Sequence, residues 1–199
     1  MKKLTHDEIS LKRQTLESLH KVKKLPVYVL LNSIRSNYNV GSIFRTSDGV
    51  MIEKLFLCGY TPYPYKPGTH SDDKPISAGR KEILKTALGS TESVSWEYVK
   101  NPLEVVKKLK TEGVKICALE LTTKSKMYYQ VSKADFPLCL IIGNEITGVA
   151  QELIDLCDFS IEIPQYGIKQ SLNVAVAYGV AVFELRKIFD NSVKAFRQE

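Results

Sequence analysis

The stretch Ile161-Glu-Ile-Pro-Gln-Tyr-Gly-Ile-Lys-Gln-Ser-Leu-Asn-Val-Ala-Val-Ala-Tyr-Gly179 largely determines the predicted architecture of this chain. Its beginning completes a predicted strand over 159–163, which Pro164 ends because proline donates no hydrogen bond to a neighbouring strand. A loop then leads to Ser171, a good N-cap for an apolar helix over 172–189. Asn173 is a poor choice for a first helical turn, so the loop and helix start predict either a capped helix or a ligand site.

A second unit of this kind precedes it along the chain. The apolar strand predicted over 136–142 stops at Gly143, and Gly143-Asn-Glu-Ile-Thr-Gly148 then places a carboxylate between two glycines. Without a Cβ at Gly143, the backbone can approach a ligand closely. The turn matches neither the dinucleotide pattern Gly-x-Gly-x-x-Gly nor a phosphate loop. The alternative to a ligand site is a tight turn with an exposed Glu145.

The third unit lies in the first quarter of the chain. A buried strand is predicted over 27–31, followed by a polar loop and a helix over about 40–50 with Asn39 as its N-cap. Gly41 permits a close approach to this helix. Arg45 follows Asn39 by six residues, which is about 600° of helical rotation, so the two side chains lie on different sides of the helix. Both can reach one ligand only if it lies near the helix start. A capped helix with a surface arginine is the alternative.

Strands and helices alternate along the rest of the chain. Further strands are predicted over 54–58, 94–96 and 114–119, and helices over 80–88, 102–110 and 149–156. This alternation predicts an α/β fold with a mainly parallel sheet covered by helices. Ligands bind beyond the carboxyl ends of strands in such sheets, where the three units place their polar residues. We expect one domain over 26–199, preceded by a basic helical extension over 1–25.

The composition is that of an ordinary folded protein. Of 199 residues, 44% are hydrophobic and 25% are charged, with a mean hydropathy of −0.13, which excludes collagen-like, disordered and membrane-embedded chains. No apolar run approaches the roughly 18 residues that span a bilayer, and the first residues lack the apolar core of a signal peptide. The four cysteines are scattered without a Cys-x-x-Cys pair, so we expect reduced thiols, no metal and a cytoplasmic location.

Residues 1–24 carry much of the positive charge. Seven basic residues oppose three acidic ones there, giving +4 of the formal net charge of +6. Thr5-His-Asp-Glu8 has the pattern of a capping box and predicts a helix over about 5–22, with Ile9, Leu16 and Leu19 on its inner side. A basic helix suits a polyanion such as RNA, although a solvated helix face explains the same charges.

In this order, the three units closely resemble the SpoU/TrmH family of SPOUT-class RNA ribose 2′-O-methyltransferases. The resemblance covers roughly 27–189, nearly the whole chain. It rests on Asn-x-Gly-x-x-x-Arg from Asn39 to Arg45, Gly-Asn-Glu-x-x-Gly from Gly143, Ile-Pro-x-x-Gly with Ser-Leu-Asn-Val over 163–174, and Leu-Lys-Thr-Ala-Leu-Gly over 84–89 followed by Trp96. Three ordered motifs with suitable separations make a chance match improbable.

The resemblance implies a C-terminal deep trefoil knot, a rare exception to unknotted topology, and a homodimer with the active site near the subunit interface. It also implies S-adenosyl-L-methionine as the cofactor, held in the knot largely by backbone groups. The positions that match the family's cofactor pocket are Leu119, Gly143, Ile163 and Leu172. The positions that match its catalytic and substrate site are Asn39, Arg45, Glu145, Ser171 and Asn173.

The implied reaction is an in-line attack by a ribose 2′-hydroxyl on a sulfonium methyl group, which requires no metal. The three histidines lie outside the motifs, so no histidine base is indicated. The family is thought to activate the hydroxyl through its arginine, but a guanidinium stays protonated in proteins. We therefore expect Arg45 to stabilise the developing alkoxide and the adjacent phosphate, with proton loss assisted by Ser171, Asn173 or the phosphate.

A tRNA guanosine is the first expectation for the substrate, with rRNA also open. With about 26 residues before the first strand, RNA is expected to contact the basic helix and Tyr63, Tyr65 and Lys66 in the long Pro-, Gly- and Tyr-rich segment 59–79. Two other interpretations remain. One is a catalytically silent RNA- or cofactor-binding module on the same fold, which the intact motif residues disfavour. The other is a nucleotide-binding enzyme acting on small molecules, for which a phosphate loop is lacking.

Overall fold

The computed structural model describes residues 1–64 and 78–191, and the side chain of residue 78 is left out of the description. The described strands are β1 (Leu25–Asn32), β2 (Ile52–Cys58), β3 (Trp96–Val99), β4 (Lys115–Leu119), β5 (Lys126–Met127), β6 (Leu138–Ile142) and β7 (Phe159–Glu162). The described helices are α1 (His6–Ser10), α2 (Asn37–Val50), α3 (Ala78–Ala87), α4 (Ser90–Ser93), α5 (Pro102–Thr111), α6 (Gln151–Ile154) and α7 (Val174–Asn191). The predicted RNA contacts Tyr65 and Lys66 lie outside the described residues.

The seven strands form one sheet in the order β3-β2-β1-β6-β4-β7-β5, and every described pair is parallel. The predicted α/β class and mainly parallel sheet are therefore confirmed. Neighbouring side chains of a strand point to opposite faces, and the central strands supply two cores. In β1, Val29 belongs to the core under α2 and α7, whereas Leu30 belongs to the core under α5 and α6.

Helices α2 and α7 pack together on one face of the sheet, and their amino ends lie at the candidate site. The hydroxyls of Ser47 and Tyr178 form a buried hydrogen bond of 2.7 Å between the two helices. Gly179 lies against Thr46, because a Cβ added to it would approach the Thr46 methyl to 4.0 Å. The predicted close approach at Gly41 occurs against α3, where an added Cβ would lie 2.0 Å from Oγ1 of Thr86.

The predicted helix over 5–22 is wrong beyond its first turn. The capping box exists, since the Thr5 hydroxyl accepts from the Glu8 amide and the Glu8 carboxylate accepts from the Thr5 amide. Helix α1 nevertheless ends at Ser10, and Ile9 and Leu16 are 41% and 59% exposed. Without an apolar surface to pack against, a short helix is marginally stable on its own.

The two N-caps that we predicted for α2 and α7 are displaced. Ser36, in an extended conformation, caps α2 and accepts a 3.3 Å hydrogen bond from the Asn39 amide, so Asn39 lies inside the first turn. Helix α7 begins two residues later than predicted, and the Asn173 side chain, rather than Ser171, accepts from its first amides. Both changes place an asparagine side chain at a helix start.

Other element boundaries differ by a few residues. The strand predicted over 94–96 lies at Trp96–Val99, because the residues before it form helix α4. Asn101 caps α5 as its Asn-Pro sequence predicts, with its side chain accepting from the Leu103 amide. The strand β5 was not predicted, because two residues are too few to show an alternation of apolar and polar side chains.

One buried carboxylate holds the chain before β6. Asp135 accepts hydrogen bonds from the amide and hydroxyl of Ser132 and forms ion pairs with Lys115 and Lys126 at 3.0 and 3.4 Å. Burial alone would raise the pKa of Asp135, but the hydrogen bonds from Ser132 and Lys115, together with Lys126, lower it to about 2.

Candidate active site

The loops after β4, β6 and β7 surround a cavity of about 850 Å³. These strands are neighbours and parallel, so their carboxyl ends open at the same edge of the sheet. The cavity lining includes every residue assigned to the cofactor and three assigned to the catalytic or substrate site, namely Leu119, Gly143, Ile163, Leu172, Glu145, Ser171 and Asn173. A smaller adjoining depression is lined by Arg35, Ser36, Asn39 and Glu145.

The wall of the cavity at the end of β6 is a tight turn. Asn144 and Gly148 exchange two backbone hydrogen bonds of 3.0 Å. A Cβ added to Gly143 would lie 2.2 Å from the Gly148 carbonyl carbon. Gly143 is therefore required by the packing of the turn itself, in addition to any closeness to a ligand.

Glu120 fixes this turn to the end of β4. Its carboxylate accepts hydrogen bonds from the amides of Val149 at 2.9 Å and Leu121 at 3.0 Å. Gly148 has a φ of +69°, and a Cβ added there would lie 2.3 Å from the Glu120 carboxylate. The turn thus depends on glycine at 148 for both its backbone conformation and its contact with Glu120.

Asn144 joins the turn to the loops after β1 and β2. Its side-chain amide donates to the Ser33 carbonyl at 2.8 Å and to the Tyr60 hydroxyl at 2.7 Å. Its side-chain oxygen accepts from the amides of Ile146 and Thr147. Because Asn144 is buried and both ends of its side chain are bonded, three loops are held in one arrangement.

Glu145 lies at the amino end of α2. Its carboxylate accepts hydrogen bonds from the amides of Arg35 at 2.9 Å and Ser36 at 3.1 Å and from the side-chain amide of Asn39 at 3.0 Å. Burial alone would raise the pKa of Glu145, but these hydrogen bonds outweigh it and lower the pKa. Glu145 is therefore an ionised acceptor with its oxygens engaged, which is unsuited to the role of a general base.

A chain of side-chain amides continues from Glu145 to α7. The Asn39 oxygen accepts from the Asn173 side-chain amide at 3.1 Å, and the Asn173 oxygen accepts from the Ala175 amide at 3.0 Å. Each bond fixes the orientation of the next amide. Because the amino ends of α2 and α7 both meet this chain, their dipoles favour negative charge beside it.

Arg45 lies outside both depressions. Its side chain is exposed on α2, and among residues 1–64 and 78–191 it has no hydrogen bond or ion pair. Tyr38 and Ser42 share its side of the helix by their spacing. Gly49, one turn further, lies against Phe183 of α7. Within one chain, the predicted arginine is thus separated from the other motif residues.

Several residues of this edge were not assigned a role from the sequence, among them Asn144 in the Gly-Asn-Glu motif. Glu120 directly follows Leu119 at the end of β4, and this position after a strand could have indicated a site residue. Arg35 stands in the polar loop after β1, which was singled out as a whole. Tyr60 lies in the Pro-, Gly- and Tyr-rich segment 59–79, where only Tyr63, Tyr65 and Lys66 were named, because its position beside the turn depends on a hydrogen bond to Asn144, 84 residues away.

Two other kinds of feature bear on the function. Within the described part of the chain, no three His, Cys, Asp or Glu side chains are grouped closely enough to hold a metal ion. No helix in residues 1–64 and 78–191 has the length and apolar content to cross a membrane.

Known proteins share this fold and these motifs. The SpoU rRNA Methylase family model matches residues 26–183. The tRNA (guanosine(18)-2′-O)-methyltransferase of Aquifex aeolicus is 30% identical over 177 residues, which are 88% of this chain and 74% of that protein.

Two solved structures have the same fold. The A. aeolicus TrmH/SpoU tRNA modifying enzyme superposes with a TM-score of 0.72 at 27% identity, covering 89% of this chain and 84% of that one. An AdoMet-bound rRNA methyltransferase from Sinorhizobium meliloti gives a TM-score of 0.71 at 25% identity, covering 92% and 70%. The resemblance seen in the motifs is confirmed, and the chain belongs to the SpoU rRNA methylase family.

Proposed function

We propose that this protein transfers the methyl group of S-adenosyl-L-methionine to a ribose 2′-hydroxyl of RNA. Membership of the SpoU family supports an RNA methyltransferase with this cofactor and disfavours the silent-module alternative. The observation that carries the proposal is the hydrogen-bonded chain Glu145–Asn39–Asn173. It joins the three motifs at the mouth of one cavity.

The cavity suits the cofactor in size and chemistry. About 850 Å³ lies within the usual range for ligand pockets, and the tight packing at Gly143 leaves backbone groups on its wall. Leu119, Gly143, Ile163 and Leu172 would hold the cofactor. When bound, it supplies an electrophilic methyl group on a sulfonium. We further propose that the segment from β6 onward forms the deep knot around this cavity.

The motif residues would have distinct roles in positioning the ribose and stabilising charge. The ionised Glu145 orients Asn39, and Asn39 in turn orients Asn173, so these amides are preorganised before RNA arrives. Asn173 and the Ser171 hydroxyl, both lining the cavity, would contact the ribose and assist the loss of its proton to the adjacent RNA phosphate. Arg45 would stabilise the developing alkoxide and the adjacent phosphate, aided by the two helix dipoles.

Arg45 can take that role in a homodimer. Helix α7 exposes an apolar side formed by Val176, Val180 and Phe183, with fractional exposures of 52%, 37% and 54%. Such a stripe is typical of a surface that a partner covers. Since Gly49 brings this stripe beside Arg45, a second copy would bury the stripe and bring its own cavity towards the arginine.

The RNA substrate is proposed from the relatives and the charge. tRNA, with a guanosine as the first candidate, and rRNA are the proposed classes. The basic segment 1–24 would contact phosphates. We also propose a cytoplasmic location, because all four cysteines are free thiols.

The test is methyl transfer from isotopically labelled S-adenosyl-L-methionine to unmodified tRNA and rRNA transcripts, with nucleosides identified by mass spectrometry. We expect a 2′-O-methylated nucleoside from the native protein and a large loss with Asn173→Ala. Binding of cofactor and RNA without any methylated nucleoside would instead support the silent module.

A further inference from the structure

Tyr60 presents an exposed aromatic ring beside the active-site turn. It follows β2 by two residues, and 63% of it is accessible to solvent. Exposed tyrosines are ordinary on protein surfaces, so exposure alone indicates no function. What distinguishes Tyr60 is how firmly it is held and what surrounds it.

The ring is anchored through its hydroxyl and its backbone. The hydroxyl accepts the 2.7 Å hydrogen bond from Asn144, whose other bonds keep it fixed. The preceding Gly59 is held by hydrogen bonds with the Lys100 carbonyl and the Tyr98 hydroxyl. The hydroxyl of the following, buried Thr61 donates to the Leu31 carbonyl in β1 and accepts from the Ile34 amide just after it. An aromatic group held in this way loses little conformational entropy when a ligand stacks on it.

Two basic residues lie on the chain segments that anchor Tyr60. Arg35 lines the depression beside Asn39 and Glu145, and Lys100 is exposed next to the anchor of Gly59. Within the described residues neither side chain has a hydrogen bond or ion pair. The nearby Glu145 carboxylate is already engaged by three donors. A rigid aromatic ring with two basic residues on the adjoining segments fits a base with its flanking phosphates.

We propose that Tyr60 is a stacking platform for a nucleobase of the RNA substrate at the entrance to the methylation site, with Arg35 and Lys100 contacting the phosphates next to it. This inference rests on the proposed function, because it assigns the RNA-binding part of the same site. Stacking on an aromatic ring tolerates every base and requires an unpaired nucleotide. The platform therefore selects RNA in which the target region is single-stranded or opened.

The test compares three replacements of Tyr60 with the matched control Tyr129→Ala. Tyr129 is also exposed, at 54%, and it directly follows β5. Strand β5 is five positions from β2 in the sheet, so the two strands are roughly 24 Å apart at the usual strand spacing. Affinity for unmodified tRNA and rRNA transcripts, the KM for RNA, and calorimetric affinity for S-adenosylhomocysteine are measured for each protein.

We expect Tyr60→Ala to weaken RNA binding and raise the KM for RNA by about 5- to 150-fold, the loss typical of one stacking aromatic. Tyr60→Phe keeps the ring and should stay within about threefold of the native protein by the same reasoning. Tyr129→Ala should bind RNA normally, and no variant should change affinity for S-adenosylhomocysteine. In Tyr60→Trp, RNA should quench the added indole fluorescence beyond any change of Trp96 in the native protein.

Equal losses in Tyr60→Phe and Tyr60→Ala would overturn the platform, since they would assign the effect to the bond with Asn144. Native RNA affinity in Tyr60→Ala, or a parallel loss of cofactor affinity, would overturn it as well. If the native protein binds RNA through Tyr60 but transfers no methyl group, the platform stands and the proposed function fails. If it binds no RNA at all, both fail.

Discussion

Replacing Gly148 with alanine tests whether the turn after β6 shapes the cofactor cavity. The change has two separable effects. It forces a residue with a Cβ to adopt a φ of +69°, and it places that Cβ 2.3 Å from the Glu120 carboxylate. Because the carboxylate must then move, its hydrogen bond with the Val149 amide weakens.

Gly113→Ala is the matched control for the first effect. Gly113 has a φ of +77°, but an added Cβ would meet no atom within 4 Å. The left-handed conformation alone costs about 1–2 kcal/mol for a residue with a Cβ. Losing a hydrogen bond to a charged, half-exposed acceptor adds about 1 kcal/mol. We therefore expect losses in the free energy of unfolding of about 1–2 kcal/mol for Gly113→Ala and about 2–3 kcal/mol for Gly148→Ala.

Urea unfolding and calorimetric titration with S-adenosylhomocysteine measure the two consequences. Gly148→Ala should bind the product at least about tenfold more weakly, which corresponds to about 1.4 kcal/mol, whereas Gly113→Ala should bind it normally. Equal stability losses in the two variants, together with native affinity in Gly148→Ala, would refute the argument that the contact with Glu120 sets the wall of the cavity.

Three further predictions concern charged residues. Arg45→Ala should slow methyl transfer by about 100- to 1,000-fold in a single-turnover assay with little change in stability or cofactor affinity, and Arg45→Lys should rescue it poorly because a point charge does not reproduce the planar guanidinium; near-native turnover would show that Arg45 is a surface residue. Asp135→Asn should lower the free energy of unfolding at pH 7 by about 2 kcal/mol, since the pKa of Asp135 falls from 3.8 to about 2 on folding. That contribution is complete above about pH 4 and is lost as the pH falls through about 2, so a difference independent of pH in urea unfolding would contradict it. Replacing Lys12, Arg13 and Lys21 together with glutamine should make the log–log salt dependence of RNA binding shallower by about 0.7–0.9 for each lost phosphate contact, and an unchanged slope would leave this segment a solvated surface.

The sequence predicted those elements whose signals are local. The cap at Asn101 followed by proline starts α5 as expected, and the apolar runs of β1 and β6 are central strands because a parallel sheet buries both faces. The prediction of an N-terminal helix over 5–22 was wrong beyond Ser10. Ile9 and Leu16 have the spacing of a buried helix face, but both are exposed because no surface covers them.

The candidate site shows a similar division. Apart from Arg45, the motif residues gather at the edge of the sheet as their order indicated. Both predicted caps were displaced, because several polar residues before each helix compete for the same role. Ser36 takes the cap of α2 and so leaves the Asn39 side-chain amide to reach Glu145. The roles of Glu120 and Tyr60 depend on partners distant in the chain, which periodicity does not reveal.

The position of β6 between β1 and β4 has a consequence for how the chain is made. Strand β1 leaves the ribosome more than a hundred residues before β6, and β4 emerges about twenty residues before it. Until residues 138–142 emerge, β1 and β4 each present an open, strongly apolar edge to which other strands can add. Nascent chains halted before this point should therefore aggregate or bind chaperones, and those halted well beyond it should not.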